Sequence, residues 1–585
     1  MDVKNVRWDL ASLYKGLDDE AIWTDIADAE GLAEELVLLK GRLAAEMPRA
    51  LDLLIKITEI SAGVSCYLFF LSSCDIENQE IKKATSKASE RLATMNAKLA
   101  FFDIEIGAMS EKEYGGLGVM TTAARAFLDK IRRQAKYLLS EKEEGLLALI
   151  SPFGKAEWDD CMDELESRTK FILGGEEKTL EEILTVMNSS KDAAERLAAM
   201  KALNSTLASS GYAWLRARAL NLVAGEKSAV DTRRGLSYPM QARNLSNNLD
   251  DATVEALHEA VRKYAVPQIR RYYALLARLI GKKKLSWADR NAQIPYASDK
   301  KIAYADALAQ VLGGYRAFSP RVADVLDEVV KNGWIDAPNF KGKTSGAYNC
   351  TVVIKGGRTI SYVLLNYLGT SRDVMTLAHE LGHAAHGMLA GRTQGALGYS
   401  APTAYAETAS IFGEMLAFEK MLAAAASDKE RLALLMSKCV DWINSVGRQI
   451  CFSCFEQELH IRRKDGKLSE ADMNEIWVRL SKEFYGEIFD YADMESLWSY
   501  VAHFMRPFYV YSYAFGELFT QSLYAARSRV QGFEGLYVEM LQSGGTKNAV
   551  ELMAPFGLNP KDAYFWKNGI ECSIVKWLDE AEKLA

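Results

Sequence analysis

Apolar residues recur at steps of three and four in the first third of this 585-residue chain. Two such sets are Leu32, Leu36, Leu39 and Leu43, and Leu92, Met95, Leu99 and Phe102. These steps place side chains on one face of an α-helix, so each set predicts a helix that buries one apolar stripe. Only 11 prolines interrupt the chain, which also favours long helices. Neither stripe continues over enough heptads for a coiled coil, so we expect a layer of packed helices here.

Two segments break the helical pattern. Residues 170–173 and 176–179 flank Gly174-Gly175, and this pattern predicts a small hairpin with a tight turn. Residues 351–354 and 359–367 are rich in β-branched and aromatic side chains around a glycine turn, and they predict a second hairpin. We place a boundary near residue 190, which gives an N-terminal helical lobe (1–190) and a catalytic lobe (191–585).

Composition indicates a globular protein with no affinity for nucleic acid. Hydrophobic residues make up 49% and charged residues 25%, and the net charge of -7 leaves no basic surplus. Charges occur throughout the first ten residues, where a signal peptide would be apolar. The longest apolar stretch, residues 62–71, is about half of the ~20 residues that a membrane helix needs, and it predicts a core helix. We therefore expect a soluble protein that does not contact a membrane.

The cysteines favour a reducing compartment. Eight of them are dispersed along the chain, which is typical of free thiols in the cytoplasm rather than of a disulfide framework. Cys451 and Cys454 form a single C-x-x-C pattern inside an apolar helical run, where core packing is a better interpretation than redox or metal chemistry. The predicted location is cytoplasmic.

The residues that carry the chemistry follow the second hairpin. A helix that begins near Ser371 contains His379-Glu380-Leu-Gly-His383, which is the pattern H-E-x-x-H. Histidines four residues apart lie one turn above the other on the same helix face, so both can bind one ion. Glu380 is rotated by about 100° from His379, which lets its carboxylate reach a water molecule beside the metal. With 6 histidines and 78 acidic residues, chance would produce such a pattern about 0.008 times.

A catalytic zinc site needs a third protein ligand. The metzincin pattern would require Gly at position 386 and His at 389, but the chain has His386 and Leu389 there, which excludes that class. Glu407 is the first carboxylate after the histidine helix and the glycine-rich loop that we expect to follow it, which contains Gly387, Gly391, Gly395 and Gly398. Glu414 lies two helical turns further on, where it either accepts a hydrogen bond from a ligand histidine or is an ordinary surface carboxylate. His386 is a weaker candidate, for a hydrogen bond near the metal or the substrate.

The two motifs together, His379-Glu-Leu-Gly-His383-Ala-Ala-His386-Gly and Ala406-Glu407-Thr-Ala-Ser-Ile-Phe-Gly-Glu414, resemble the thimet oligopeptidase family of zinc peptidases, specifically its oligoendopeptidase F branch. The likeness runs nearly end to end. Further matching segments are Trp8–Tyr14, Trp334–Pro338, Gly346-Ala347-Tyr348, Tyr362–Tyr367, Gly544-Gly545 and Pro555–Pro560.

The resemblance implies a mostly α fold of the zincin type (gluzincin), a helical ellipsoid with two lobes around a deep channel and a small β-sheet beside the zinc helix. One zinc ion would be held by His379, His383 and Glu407. Gly346 and Ala347 would lie near the substrate, and the hairpin edge would pair with an extended peptide.

The resemblance also extends to residues 503–517, where a histidine and tyrosines of the family donate hydrogen bonds to the substrate and to the oxyanion. His503 and Tyr513 match best, and Tyr509 is the candidate for a second tyrosine. Because the chain has 26 tyrosines, plain core packing stays open for each of them.

The sequence thus predicts a zinc endopeptidase that cuts internal bonds of short peptides and has no obligate protein partner. Glu380 would take a proton from the attacking water and pass it to the leaving amine. Two alternatives stay open. One is a zinc carboxypeptidase or dipeptidase of similar helical build, and the other is a non-catalytic helical peptide-binding protein, against which the presence of Glu380 argues.

Overall fold

The computed structural model describes residues 3–118, 120–150, 153–295 and 301–585, and these residues are mostly helical. Helices α1 to α14 span Ala21–Val37, Leu43–Cys74, Gln79–Leu99, Phe101–Ala108, Glu111–Gly115, Thr122–Ala135, Glu141–Ile150, Lys155–Arg168, Leu180–Ser189, Ala193–Ser209, Tyr212–Arg233, Gln241–Ser246, Asp251–Ala260 and Val266–Leu279. Helices α15 to α27 span Tyr304–Phe318, Pro320–Lys331, Ser371–Gly398, Thr403–Ala406, Thr408–Ala423, Asp428–Trp442, Arg448–Arg462, Glu470–Tyr485, Tyr511–Ala526, Phe533–Gln542, Ala549–Met553, Ala563–Ile570 and Lys576–Leu584. The prediction of a mostly α fold is confirmed.

Short strands form three small sheets. The strands β1 to β7 span Phe171–Leu173, Glu176–Lys178, Leu285–Ser286, Ile335–Pro338, Tyr348–Ile354, Arg358–Tyr367 and Phe489–Asp490. β1 pairs with β2 and β5 pairs with β6, both antiparallel, as the two predicted hairpins require. β4 adds to the second hairpin in parallel with β6, which gives the order β4-β6-β5 and makes β6 the central strand. The sequence analysis did not predict β4, because it is only four residues long.

Contacts divide the chain into two compact units, each assembled from three segments. The first unit contains Met1–Lys136, Asp299–Ala424 and Ala526–Leu558, and the second contains Tyr137–Ser298, Ala425–Ala525 and Asn559–Ala585. Residue 190, where we placed a boundary, lies inside the second unit, because α9 and α10 on either side of it pack against each other. A single cut in the sequence therefore does not separate these units.

The two apolar stripes of the sequence are buried, but each one crosses a helix end. α1 ends at Val37 and α2 begins at Leu43, so Leu39 lies in the connection between them. α3 ends at Leu99, and Phe102 belongs to α4. The remaining members are buried or partly buried in one hydrophobic core formed by the first helices. The spacing correctly predicted which side chains are buried, although it did not predict the breaks.

α2 contains the apolar stretch at residues 62–71. By length and composition alone, α2 could cross a membrane, and 50% of its most apolar window is buried inside the protein. Ile60, Val64 and Leu68 of this helix belong to the hydrophobic core, as the prediction of a core helix requires. Cys451 and Cys454 are free and buried in α21, as core packing predicts.

Candidate active site

α17 carries the H-E-x-x-H motif, and its start is fixed by a capping box. Thr370, one residue before the predicted Ser371, is the N-cap: its side chain accepts a hydrogen bond from the backbone N–H of Asp373, and the Asp373 carboxylate accepts one from the backbone N–H of Thr370. This reciprocal pair satisfies N–H groups that the first helical turn leaves without partners. The helix runs on to Gly398, with a kink at Gly395, whose φ is 64°.

The helix continues through Gly387 and Gly391, which we had assigned to a loop. A Cβ atom at Gly387 would lie 2.1 Å from Oγ1 of Thr351, and one at Gly391 would lie 2.4 Å from Cγ2 of Thr359. Both threonines belong to the β5–β6 hairpin, so these glycines allow α17 to pack closely on the sheet. The glycines suggested a loop in the sequence analysis, but in the structure they let two elements pack closely.

A second close contact joins α17 to α19. A Cβ atom at Gly382 would lie 2.4 Å from the carbonyl oxygen of Ala409, and one at Gly413 would lie 2.7 Å from the carbonyl oxygen of Ala378. Tyr315 on α15 donates a hydrogen bond of 2.8 Å to that same Ala378 oxygen. The motif helix and the helix that follows Glu407 are thereby held at a short distance.

These contacts bring His379, His383 and Glu407 together. One potential ligand atom from each lies within 4.8 Å of the other two. Oε2 of Glu407 is 3.2 Å from Nε2 of His379 and 3.2 Å from Nε2 of His383. The three side chains are 26%, 22% and 34% exposed in that order, so small molecules can reach them. Two imidazole nitrogens and a carboxylate oxygen form a donor set that fits a borderline divalent metal ion.

Neighbouring groups orient two of these side chains. Nδ1 of His379 lies 2.7 Å from Oε1 of Glu414, so Glu414 has the position proposed for a carboxylate that supports a ligand histidine. Ser410 donates a hydrogen bond of 2.9 Å to Oε2 of Glu407. The sequence analysis did not single out Ser410, although it stands three residues after Glu407 on the first turn of α19.

The charges of the cluster shift the pKa values of its members. Burial works to lower the pKa of His379, but hydrogen bonds with Glu407 and Glu414 raise it well above its ordinary value. Burial would raise the pKa of Glu407, yet hydrogen bonds from His379 and His383 hold it far below its usual range. Glu380 is 6% exposed, and burial raises its pKa. A carboxylate with a raised pKa is a better proton acceptor.

His386 is not part of the donor set. Burial, and then the charge of His383, lower the pKa of His386 to about 4, and the backbone of Ala406 is its hydrogen-bond partner. His386 therefore connects α17 to the residue that precedes Glu407.

Gly346 stands before β5 with a φ of 79°, and its carbonyl oxygen accepts a hydrogen bond from Asn366. Ala347 follows it in the same connection.

The other predicted residues lie in the second unit, where they form an aromatic cluster. Nε2 of His503 is 3.3 Å from the hydroxyl of Tyr513. The ring of Tyr509 stacks on His503 at 5.9 Å and meets the ring of Tyr513 edge-on at 5.5 Å. Tyr513 is 37% exposed, whereas Tyr511 is fully buried, and its hydroxyl is hydrogen-bonded to Asn244 and Asn247.

The turn that carries Tyr509 has a feature that the sequence analysis missed. Phe508 has a φ of 58°, which is unusual for a residue other than glycine. Its N–H donates a hydrogen bond of 2.9 Å to Oε1 of the buried Glu456, and Arg243 donates to the carbonyl oxygen of Pro507. Burial raises the pKa of Glu456 well above its ordinary value. These long-range partners stabilise the strained turn. The sequence around Phe508 does not predict them.

Comparison with known proteins identifies the family. Residues 186–571 match peptidase family M3, and residues 122–171 match a family described as oligopeptidase F. The chain belongs to peptidase family M3. This M3 chain is therefore a metal-dependent endopeptidase that hydrolyses peptides, which confirms the predicted enzyme.

Relatives of this M3 peptidase match it over almost its whole length. The oligoendopeptidase F homolog of Lactococcus lactis subsp. lactis (strain IL1403) is 26% identical over 99% of this chain and 97% of that protein. A crystal structure of a protein from Chlamydophila abortus has a TM-score of 0.87 at 23% identity and covers 100% of both chains. The oligoendopeptidase-F structure from Enterococcus faecium has a TM-score of 0.70 at 18% identity over 97% of this chain and 99% of that chain. The two structures support the fold.

Proposed function

We propose that this M3 peptidase is a cytoplasmic zinc endopeptidase of the oligoendopeptidase F type, with its metal held by His379, His383 and Glu407. The convergence of the three donor side chains within 4.8 Å carries this proposal. Nitrogen and carboxylate ligands suit zinc. The hydrogen bond between His379 and Glu414 also supports a metal site, because a metal-binding histidine usually has a carboxylate or another acceptor on its second ring nitrogen.

Each residue of the site has a separate task in the proposed mechanism. When bound, the zinc ion would supply Lewis acidity towards the peptide carbonyl and the attacking water. Glu380 accepts a proton from that water and delivers it to the leaving amine, because its buried carboxylate has a raised pKa and lies on the ligand helix. Glu414 fixes the orientation of the His379 ring, and Ser410 does the same for the Glu407 carboxylate.

We further propose that Tyr513 and His503 donate hydrogen bonds to the oxyanion, with Tyr509 contacting the substrate. The partial exposure of Tyr513 and its contact with His503 favour this role, and the buried Tyr511 serves packing instead. Removing one such donor typically costs about 10² to 10³ in rate.

The substrate class follows from the sheet. β5 pairs with β6 on one side, and among the described residues no strand pairs with its other edge. We propose that an extended peptide adds to this edge near Gly346 and Ala347, since main-chain hydrogen bonds accept many sequences. Short, unstructured peptides satisfy this requirement at the lowest cost in conformational entropy.

Two variants test the proposed function. Glu380→Gln should keep zinc, because Glu380 is not a ligand, and lose activity by about 10² or more on a flexible peptide. His383→Ala should lose both zinc and activity. Zinc content is measured by metal analysis, and internal cleavage by mass spectrometry of the products. Glu419→Gln, on the solvent side of α19, is the control and should resemble the unmodified enzyme. Full activity after removal of all metal, or an active Glu380→Gln variant, would contradict the proposal.

A further inference from the structure

The second unit contains a small cavity beside two arginines. The cavity has a volume of about 10 Å³, and its lining includes Arg290, Arg448, Tyr485 and Trp287. A cavity of this volume can hold about one water molecule or one ion of similar size. Arg290 is 4% exposed, and Arg448 is partly buried on α21.

Neither arginine has a carboxylate partner among the residues that the structure describes. The neighbouring carboxylate, Asp289, is already paired with Arg196 and Lys282. Arg290 donates a hydrogen bond of 2.9 Å to the side-chain oxygen of Asn444, and Arg448 donates one of 3.1 Å to the hydroxyl of Tyr500, which are neutral acceptors. No ion pair to either guanidinium occurs within the described part of the chain. Burial, and then the charge of Arg290, lower the pKa of Arg448.

The other walls also favour an anion. The hydroxyl of Tyr485 is buried beside Arg290, and no described residue accepts a hydrogen bond from it, so it can donate to a guest. The guanidinium groups lie over the rings of Trp287 and Phe452, with the Arg290 carbon 5.6 Å and the Arg448 carbon 4.8 Å from the ring centres. These contacts hold the two positive charges in place, but they do not neutralise them.

We infer that this cavity is a binding site for a small inorganic anion, with chloride as its ligand. Placing like charges in a poorly solvated site without a counter-ion is costly, and one anion between Arg290 and Arg448 would offset that cost. Size restricts the choice: a halide ion is only slightly larger than a water molecule, whereas a peptide carboxylate requires far more space. The lining residues belong to the second unit, whereas the proposed zinc ligands belong to the first.

The first test uses the unmodified, metal-loaded protein. Thermal unfolding is followed while sodium chloride replaces sodium gluconate at constant ionic strength and pH, because gluconate is too large for the cavity. We expect a saturable rise of about 2 °C or more in the unfolding temperature. Crystals grown in sodium bromide should show an anomalous-scattering peak within hydrogen-bond distance of both guanidinium groups. A cavity that contains only water in bromide would overturn the inference.

Variants locate the effect. Arg290→Gln and Arg448→Gln should each abolish the response to chloride, and Tyr485→Phe should weaken chloride binding. Arg479→Gln is the matched control: this arginine lies on α22, is 43% exposed and pairs with Glu458 and Glu475, so the response should persist. A response that survives both arginine substitutions would place the anion elsewhere and refute the proposed site. If either glutamine variant fails to fold, the bromide experiment decides the matter by itself.

Discussion

Nδ1 of His379 lies 2.7 Å from Oε1 of Glu414, while Nε2 of the same ring lies 3.2 Å from the carboxylate of Glu407. One imidazole therefore connects the motif helix to two acidic residues, Glu407 at the N-cap of α19 and Glu414 seven residues further on. The arrangement fixes the ring plane and directs one nitrogen to the proposed metal position.

Removal of Glu414 should weaken metal binding. We expect Glu414→Ala to lower zinc affinity by about 10 to 100-fold, because His379 loses its orienting partner. Glu414→Gln keeps an oxygen acceptor and should lose less. Affinity is measured by competition with a coloured chelator, with Glu419→Gln as the control on the same helix. Unchanged affinity in the alanine variant would assign Glu414 to the surface.

Two tyrosines, two residues apart, should respond differently to loss of their hydroxyl groups. Tyr513→Phe is expected to lower kcat by about 10² to 10³ with little change in stability. Tyr511→Phe should destabilise the fold by about 1 to 3 kcal/mol, because Asn244 and Asn247 lose a buried partner, with kcat unchanged. Steady-state kinetics and urea unfolding distinguish the two effects. Equal kcat values in both variants would remove Tyr513 from the mechanism.

Gly387→Ala should destabilise the protein by about 1 to 3 kcal/mol, because the new methyl group meets Thr351 at 2.1 Å. Gly31→Ala on α1 is the matched control: a Cβ there has no neighbour within 4 Å, and alanine is about 1 kcal/mol better than glycine inside a helix. The two substitutions should therefore change the free energy of unfolding in opposite directions, as measured by chemical denaturation. Equal effects would mean that α17 does not pack so closely on the hairpin.

His258 should make stability depend on pH. Burial lowers its pKa from 6.5 to about 4, and its ring is hydrogen-bonded to the carbonyl of Val254 and the hydroxyl of Ser453. Between these two pH values the unfolded chain binds a proton that the folded protein does not, so stability falls as the pH decreases.

The difference for this one group between pH 7 and pH 5 is about 1 to 2 kcal/mol. A glutamine at position 258 can form hydrogen bonds but does not titrate. Between pH 7 and pH 5, the free energy of unfolding of the His258→Gln variant should therefore fall by about 1 to 2 kcal/mol less than that of the unmodified protein. Urea unfolding of both proteins at the two pH values measures the effect, and contributions from the rest of the molecule cancel in the comparison. Identical pH dependence of the two proteins would show that His258 does not contribute.

The sequence predicted features that depend on local spacing. The step of four between His379 and His383, the two hairpins and the buried stripes are periodic patterns, and the structure contains all of them. Gly387 and Gly391 were misinterpreted, because a glycine in sequence does not reveal whether it provides flexibility or close contact. Only the threonines of the opposing hairpin decide between the two.

Other features depend on partners far away along the chain. Glu456 stabilises the turn at Phe508 from 52 residues away, and Arg243 does so from 264 residues before Pro507. Neither residue belongs to a motif, so spacing could not have found them. The division into two units was unpredictable for the same reason, since each unit combines segments that the chain separates.

That division has a consequence for biosynthesis. The faces of α2 and α6 that pack against β5 and α17 leave the ribosome long before their partners, and the first unit still needs the segment that begins at Ala526. At about 5 to 20 residues per second, apolar surface stays uncovered for tens of seconds. A chain that ends before residue 526 lacks the last segment of both units, so neither unit can complete its packing until synthesis is nearly finished.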